Sequence, residues 1–360
     1  MEGREPITYA GAGVDIDAAN RSLQAMLPFI KQTHGRHLMD RAGQPFSAPV
    51  ALGLAAAGER IPIEQLMIAP SVDSAGTIPQ EALLALDFFP EGLTNTGYNV
   101  TAHCCADVAC GGVTPFIFLD MITSTDMRPE INALIIQGMA EACKELAVMI
   151  VGGELAQCPG TIVEGQYDVI GFAIGYGRRD AYINPKERVK PGQVIVGYHV
   201  GFHMINGSSL IRRVNAAAGL GIRDIFPPTG KTVAESLLRR QPNFAKMVGA
   251  QLAKGLYISA NSHITGGGLP DNIGRNLPEG CQAVIDSTKW EIPPFFGWLI
   301  EQGVPLEEAI ARLNMGIGFA QIYPTEHEAR RALAIAEQLG FSGAKIGEIV
   351  AGERGVKVLR

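Results

Sequence analysis

The sequence has no Cys-x-x-Cys pair, no histidine and cysteine at zinc-site spacing, no lysine-arginine block, and no apolar run approaching the roughly 18 residues of a membrane span. The first two absences exclude a cysteine-built zinc site. They leave the six cysteines, at 104, 105, 110, 143, 158 and 281, as reduced and mostly buried small residues. Without a basic block, and at a net charge of -6, nucleic acid is excluded as a partner, because its phosphates demand a basic stripe. The opening Met1-Glu2-Gly3-Arg4-Glu5-Pro6 is charged and lacks the apolar core of a signal peptide, which predicts no membrane partner and a cytoplasmic location. No short-period repeat is visible either.

What is present is a chain of 360 residues, 47% hydrophobic, enough for two or three domains with sizeable cores. Short, turn-bounded apolar runs at 66–69, 116–119 and 148–151 predict buried strands, and 167–177 predicts another. Between them, 129–146 has the three- and four-residue apolar spacing of an amphipathic helix. After Lys190-Pro191-Gly192-Gln193, a turn, the second half shows strand patterns at 194–196, 283–286 and 318–322. Helix patterns fall at 209–218, 233–238, 243–252 and 306–313. The reading is an α+β or α/β sandwich in each half, divided into 1–176 and 177–360.

Two stretches look built for phosphate. They are Ala69-Pro70-Ser71-Val72-Asp73-Ser74-Ala75-Gly76-Thr77-Ile78 and Ile150-Val151-Gly152-Gly153-Glu154-Leu155-Ala156-Gln157-Cys158-Pro159-Gly160. Each sets a carboxylate beside small, glycine-containing turns at the end of an apolar run, where backbone amides can approach phosphate and the carboxylate can hold magnesium. Taken alone, Asp73 before a turn also reads as a side chain bonding its own backbone, and Asp107 as a cap on a loop or helix end. His103, four residues before Asp107, reads as a satisfied core histidine. Thr265-Gly266-Gly267-Gly268 is an amide-rich loop or simply a turn.

In order and spacing these segments, with 7–18, Tyr167-Asp168-Val169-Ile170-Gly171-Phe172 and Asn314-Met315-Gly316-Ile317-Gly318, resemble the aminoimidazole ribonucleotide synthetase (phosphoribosylformylglycinamidine cyclo-ligase) family. The resemblance implies a mixed sheet backed by helices in each half and a homodimer built through the first. It also implies an ATP- and Mg2+-dependent ring closure of a small ribonucleotide in purine biosynthesis. Asp73, Asp107 and Glu154 would hold the metal, and Asp73, Gly76, Thr77, Gly152, Gly153 and Glu154 would contact the nucleotide. Asp107 would also serve catalysis. Asn206, Gly207, Thr265, Gly266, Gly267 and Gly268 would contact substrate. Gly201-Phe202-His203-Met204-Ile205-Asn206-Gly207 matches a family histidine motif with one residue inserted. A gap placed there makes His203 the proton-handling group, whereas a gapless alignment puts Met204 in its place.

The chain also departs from the family pattern. Ile78 stands for a lysine, Ala106 for an asparagine, and Leu155, Gln157 and Cys158 for threonine, glutamate and methionine. A glycine-rich loop is replaced by Asp40-Arg41-Ala42-Gly43-Gln44-Pro45-Phe46-Ser47-Ala48-Pro49, whose prolines fix φ and remove donors. One charge-assisted phosphate contact is worth about 1.5–3 kcal/mol, or roughly ten- to a hundredfold in affinity. Several such losses predict weakened or altered ATP use. They keep two further readings open: a paralogue acting on another amide or nucleotide-like substrate, and a non-catalytic binding paralogue.

Overall fold

The computed structural model describes residues 15–35, Leu38 and 61–359. The loop at 40–49 and the stretch 7–14 lie outside the described residues. The first half comprises α1 (Ile16–Gln32), β1 (Leu66–Ser74), α2 (Ile78–Leu84), α3 (Glu91–Cys110), β2 (Thr114–Ser124), α4 (Pro129–Glu145), β3 (Met149–Gln157) and β4 (Tyr167–Arg178). The second comprises α5 (Pro185–Arg188), β5 (Val194–His199), α6 (Ser208–Ala217), β6 (Ile225–Phe226), β7 (Lys231–Thr232), α7 (Val233–Leu237), α8 (Phe244–Ala253) and β8 (Ala260–His263). It continues with α9 (Gly268–Gly274), β9 (Cys281–Asp286), α10 (Pro294–Glu301), α11 (Leu306–Arg312), β10 (Ile317–Tyr323), α12 (Glu326–Gln338), β11 (Gly343–Ala351) and β12 (Gly355–Leu359).

Each half carries one mixed sheet backed by helices, as expected. The first has strand order β1-β4-β2-β3, antiparallel except for the parallel β2/β3 pair. The second has order β12-β9-β11-β5-β10-β8, with only β12/β9 parallel. Alternation decides the faces. Along β4, Tyr167, Val169, Gly171, Ala173 and Gly175 are buried under helices, while Ile170, Phe172 and Ile174 point outward and are only partly covered.

One apolar core runs through both halves, from Phe118, Ile122 and Ile135 to Val196, Tyr198 and Phe244. Its axis is α3, where 16 of 20 residues are buried, the mark of a helix covered on all sides. Helix α4 crosses α3 where two glycines meet. A Cβ on Gly97 would overlap the Ile135 carbonyl, and one on Gly138 the Thr94 carbonyl. On its other side α3 meets the second half: Asn95 Nδ2 donates to the Leu238 carbonyl (2.8 Å), Asn99 Nδ2 to that of Arg239 (2.8 Å), and Gln241 N to Asn99 Oδ1 (2.8 Å).

The second sheet contains a buried polar ring. Gln251 Nε2 donates to Tyr198 Oη (2.9 Å), which lies 3.3 Å from Tyr323 Oη. Tyr323 donates to Gln321 Oε1, and Gln321 Nε2 reaches both Gln251 Oε1 and Asn261 Oδ1 at 2.8 Å. Asn261 Nδ2 then donates to the Cys110 carbonyl at the end of α3 (3.0 Å).

Gly97→Ala tests the helix crossing. In an open helix the change would stabilise by about 1 kcal/mol. Here the clash with the Ile135 carbonyl forces α3 and α4 apart, so we expect urea unfolding to show a net loss of about 2–3 kcal/mol.

Candidate functional site

A cavity of about 340 Å3 opens between the halves, at the low end of the range for small-molecule sites. Its walls include Asp73 from β1, His103 and Asp107 from α3, His263 from β8, Thr265 from the following loop, and Arg275 beyond α9. The positions on α3 follow from its periodicity: 95, 99, 103 and 107 are four apart and share one face. Asn95 and Asn99 tie that face to the second half, and His103 and Asp107 meet the cavity.

Two imidazole-carboxylate pairs form the cavity's head. His263 Nδ1 lies 2.8 Å from Asp107 Oδ1 in hydrogen-bond geometry, and Ser71 Oγ donates to Asp107 Oδ2 (3.3 Å). His103 Nε2 approaches Asp73 Oδ2 to 2.9 Å, but outside the direction of a ring N–H. The two rings are 4.3 Å apart between centroids, tilted by 53°. Burial pushes the Asp107 carboxyl up, yet the bond and charge of His263, with His103 and Ser71, outweigh it, so Asp107 is held below the usual range. Burial also opposes ionisation of Asp73, where contact with His103 and the Ser74 amide win. His263 is pushed down, first by burial and then by His103, against the pull of Asp107.

Of the residues expected at the site, Asp73, Asp107 and Thr265 share this cavity. Gly76 and Thr77 form the turn after β1, and Thr77 Oγ1 lies 3.3 Å from Ser209 Oγ across the domain junction. Asn206 sits against Gly266, and Gly207 and Gly267 take the left-handed backbone that starts α6 and α9, so the two glycine loops are neighbours.

Three expectations fail on geometry. Glu154 does not join Asp73 and Asp107. Asp73, Gly171, Asp120 and Gly153 lie side by side across the first sheet, three strand spacings or about 14 Å in all. Glu154, one residue on from Gly153, points to the opposite, outer face. Gly152 and Gly153 are strand residues, not a turn. A Cβ at Gly153 would fill the space of the Asp120 carboxylate, 4% exposed and pushed up to about 7 by burial and by Glu154.

His203 is the third. It is 2% exposed and stacks on Phe295 (centroids 5.6 Å, 18° between planes), beside a small void shared with Ile78, Glu81 and Leu237. Burial and Arg239 push it down to about 3, so the ring is uncharged at neutral pH, and it lines the small void rather than the cavity. Neighbouring Met204 is buried as well, and so is Ile78, where the family lysine was expected. His103, read as a core histidine, instead lines the cavity. His263, Asn261 and Arg275 were missed. The four-residue polar spacing in the apolar 91–110 segment was the signal for His103.

Comparison with known proteins decides the family. Residues 66–176 match the N-terminal domain, and 190–359 the C-terminal domain, of AIR synthase related protein. The chain is 33% identical over 345 residues, 96% of each chain, to a phosphoribosylformylglycinamidine cyclo-ligase of Parasynechococcus marenigrum (strain WH8102). It is equally 33% identical to the chloroplastic/mitochondrial enzyme of Vigna unguiculata, over 98% of this chain and 83% of that one. The chain belongs to the phosphoribosylformylglycinamidine cyclo-ligase family. The fold extends further. Thiamine-monophosphate kinase from Stenotrophomonas maltophilia K279a superposes with TM-score 0.67 at 15% identity, over 93% of this chain and 95% of that one. The hydrogenase maturation protein HypE in complex with ATP gives 0.63 at 18% identity, over 95% and 91%.

Burial of His203 has a measurable consequence. The unfolded chain binds its proton near pH 6.5, whereas the folded chain refuses it until about 3. The stability His203 contributes is therefore full above pH 6.5 and lost as pH falls toward 3. Between pH 7 and 4.5, His203→Asn should lose on the order of 2 kcal/mol less than the parent in urea titrations.

Proposed function

We propose that the chain is an ATP-dependent cyclo-ligase that converts formylglycinamidine ribonucleotide to aminoimidazole ribonucleotide. The observation that carries the proposal is the inter-domain cavity, where carboxylates of the first half meet Thr265 and the paired glycine loops of the second. In this reading 1–176 handles the nucleotide and 177–360 the substrate. ATP transfers its γ-phosphoryl group to the formamide oxygen. The substrate's own nitrogen then attacks the activated carbon, phosphate leaves, and the imidazole closes.

Little covalent chemistry falls to the protein, so positioning and charge carry the catalysis. The turn at Gly76-Thr77 and the Gly266-Gly267-Gly268 loop offer backbone amides to phosphate. Asn206 and Gly207 flank that loop on the substrate side. Magnesium, when bound, supplies positive charge to the transferring phosphoryl group. Its expected oxygen set is only partly assembled: Asp73 and Asp107 line the cavity and are held ionised, while Glu154 faces away. We therefore assign the carboxylate role to Asp73 and Asp107, and remove His203 from proton transfer.

A homodimer fits the outer face of the first sheet, which no helix among the described residues covers. Ile68 (53% exposed) and Val72 (58%) adjoin Leu119, Met121, Ile170, Phe172 and Ile174 there, an apolar surface larger than scattered residues require. Glu154 opens onto this face, so in a dimer it would report to the partner.

Incubation of the purified chain with ATP, Mg2+ and formylglycinamidine ribonucleotide should release phosphate only when all three are present. Asp107→Asn should cut turnover by roughly a hundredfold, as expected where a charged contact is lost in a desolvated site. Phosphate release independent of the ribonucleotide would reject the reaction. Because Ile78 supplies no cation, ATP should bind about ten- to a hundredfold more weakly than to a relative with lysine there, as calorimetry can measure. Sedimentation should give two chains per particle, and Val72→Lys with Phe172→Asp should give one.

A further inference from the structure

Two features of the cavity's head are left over by the cyclo-ligase reading. One is its nitrogen content: His103 and His263, 0% and 5% exposed, both line the cavity. The other is a set of orphaned atoms. Both ring nitrogens of His103 and Nε2 of His263 are buried without a hydrogen-bond partner. One donor atom each from His103, Asp107 and His263 lies within 4.8 Å of the others, and among the described residues no other trio of His, Cys, Asp or Glu does so. Ligands of one tetrahedral ion sit about 3.4 Å apart for bonds near 2.1 Å, within reach of small side-chain rotations.

We infer that His103, Asp107 and His263 form a binding site for a borderline divalent cation, with Zn2+ as the reference ion. The inference rests on the cyclo-ligase reading only for what the ion would do there, not for whether it binds. Magnesium takes oxygen ligands, whereas two imidazoles and one carboxylate select zinc, cobalt or nickel. The scaffold is rigid. His103 and Asp107 are four residues apart on one face of a buried helix, and His263 is fixed by its strand. Asp73 Oδ2 lies 2.9 Å from His103 Nε2, so a small rotation of the ring would make it the carboxylate partner behind a ligand. Thr265 and the open cavity leave room for a further ligand from solvent or substrate.

The test uses the full chain, stripped with a chelator and free of nucleotide. Calorimetry with Zn2+ should show one ion per chain at roughly micromolar Kd or tighter, retained against millimolar Mg2+. His103→Leu and His263→Gln should each weaken binding by on the order of 100-fold, and Asp73→Asn by about tenfold. Thermal unfolding in chelator checks that the variants are folded. If one is not, electron spin echo of Cu2+ on the parent protein should still resolve two imidazole nitrogens. No stoichiometric uptake, uptake unchanged in both histidine variants, or a copper spectrum without two imidazoles would overturn the inference and leave an imidazole pair that only moves protons. Zinc binding through these residues in a chain that closes no ring would sink the reaction assignment alone. Turnover with magnesium and no zinc uptake would sink only the metal site.

Discussion

Everything near the cavity depends on burying α3 on all sides. A helix so enclosed cannot turn its polar residues to water, so Asn95, Asn99 and Asp107 each find a partner in the surrounding structure, while both ring nitrogens of His103 are left without one. Asn95 and Asn99 find backbone carbonyls of the second half, and Asp107 finds His263. The same condition thus docks the two halves and assembles the site. Asp107 needs its partner the more because it lies in the last turn of α3, where the helix dipole disfavours negative charge.

The electrostatics of the head follow from that enclosure. Two carboxylates and two imidazoles share a small buried space, and each carboxyl is held below its usual range because an imidazole, with a serine hydrogen bond, outweighs its burial. On the interior strand β2 of the first sheet Asp120 has no such partner, and burial drives its carboxyl upward instead. Identical side chains on one face of the first sheet and on the helix above it are therefore pushed in opposite directions, Asp73 and Asp107 down beside a ring nitrogen and Asp120 up without one.

Much of this was legible in the sequence. The strands at 66–74, 114–124, 149–157 and 167–178 and the helix at 129–145 follow from short apolar runs and amphipathic spacing. Asp73, Asp107 and Thr265 emerged from local composition and family resemblance. Glu154 was misplaced because a Gly-Gly pair reads as a turn. In the fold those glycines lie in a strand, one making space for Asp120, and alternation throws the next side chain to the far face. His203 was misplaced because motif order says nothing about burial. His263 is recruited by tertiary packing between β8 and α3, 156 residues from its partner, and no local pattern announces such a meeting. In α3 almost every position is buried, so amphipathic contrast, the usual helix signal, is absent.

The polar ring in the second sheet has a direction. The Tyr323 hydroxyl has one hydrogen, given to Gln321, so toward Tyr198 it can only accept. Tyr198 must then donate to Tyr323 and accept from Gln251, whose carbonyl oxygen accepts from Gln321. The circuit runs one way round, and it leaves through the second Gln321 amide hydrogen to Asn261 Oδ1. That fixes which end of the Asn261 amide faces the Cys110 carbonyl. A proton order set deep in one half is thereby transmitted to the end of the helix that carries His103 and Asp107.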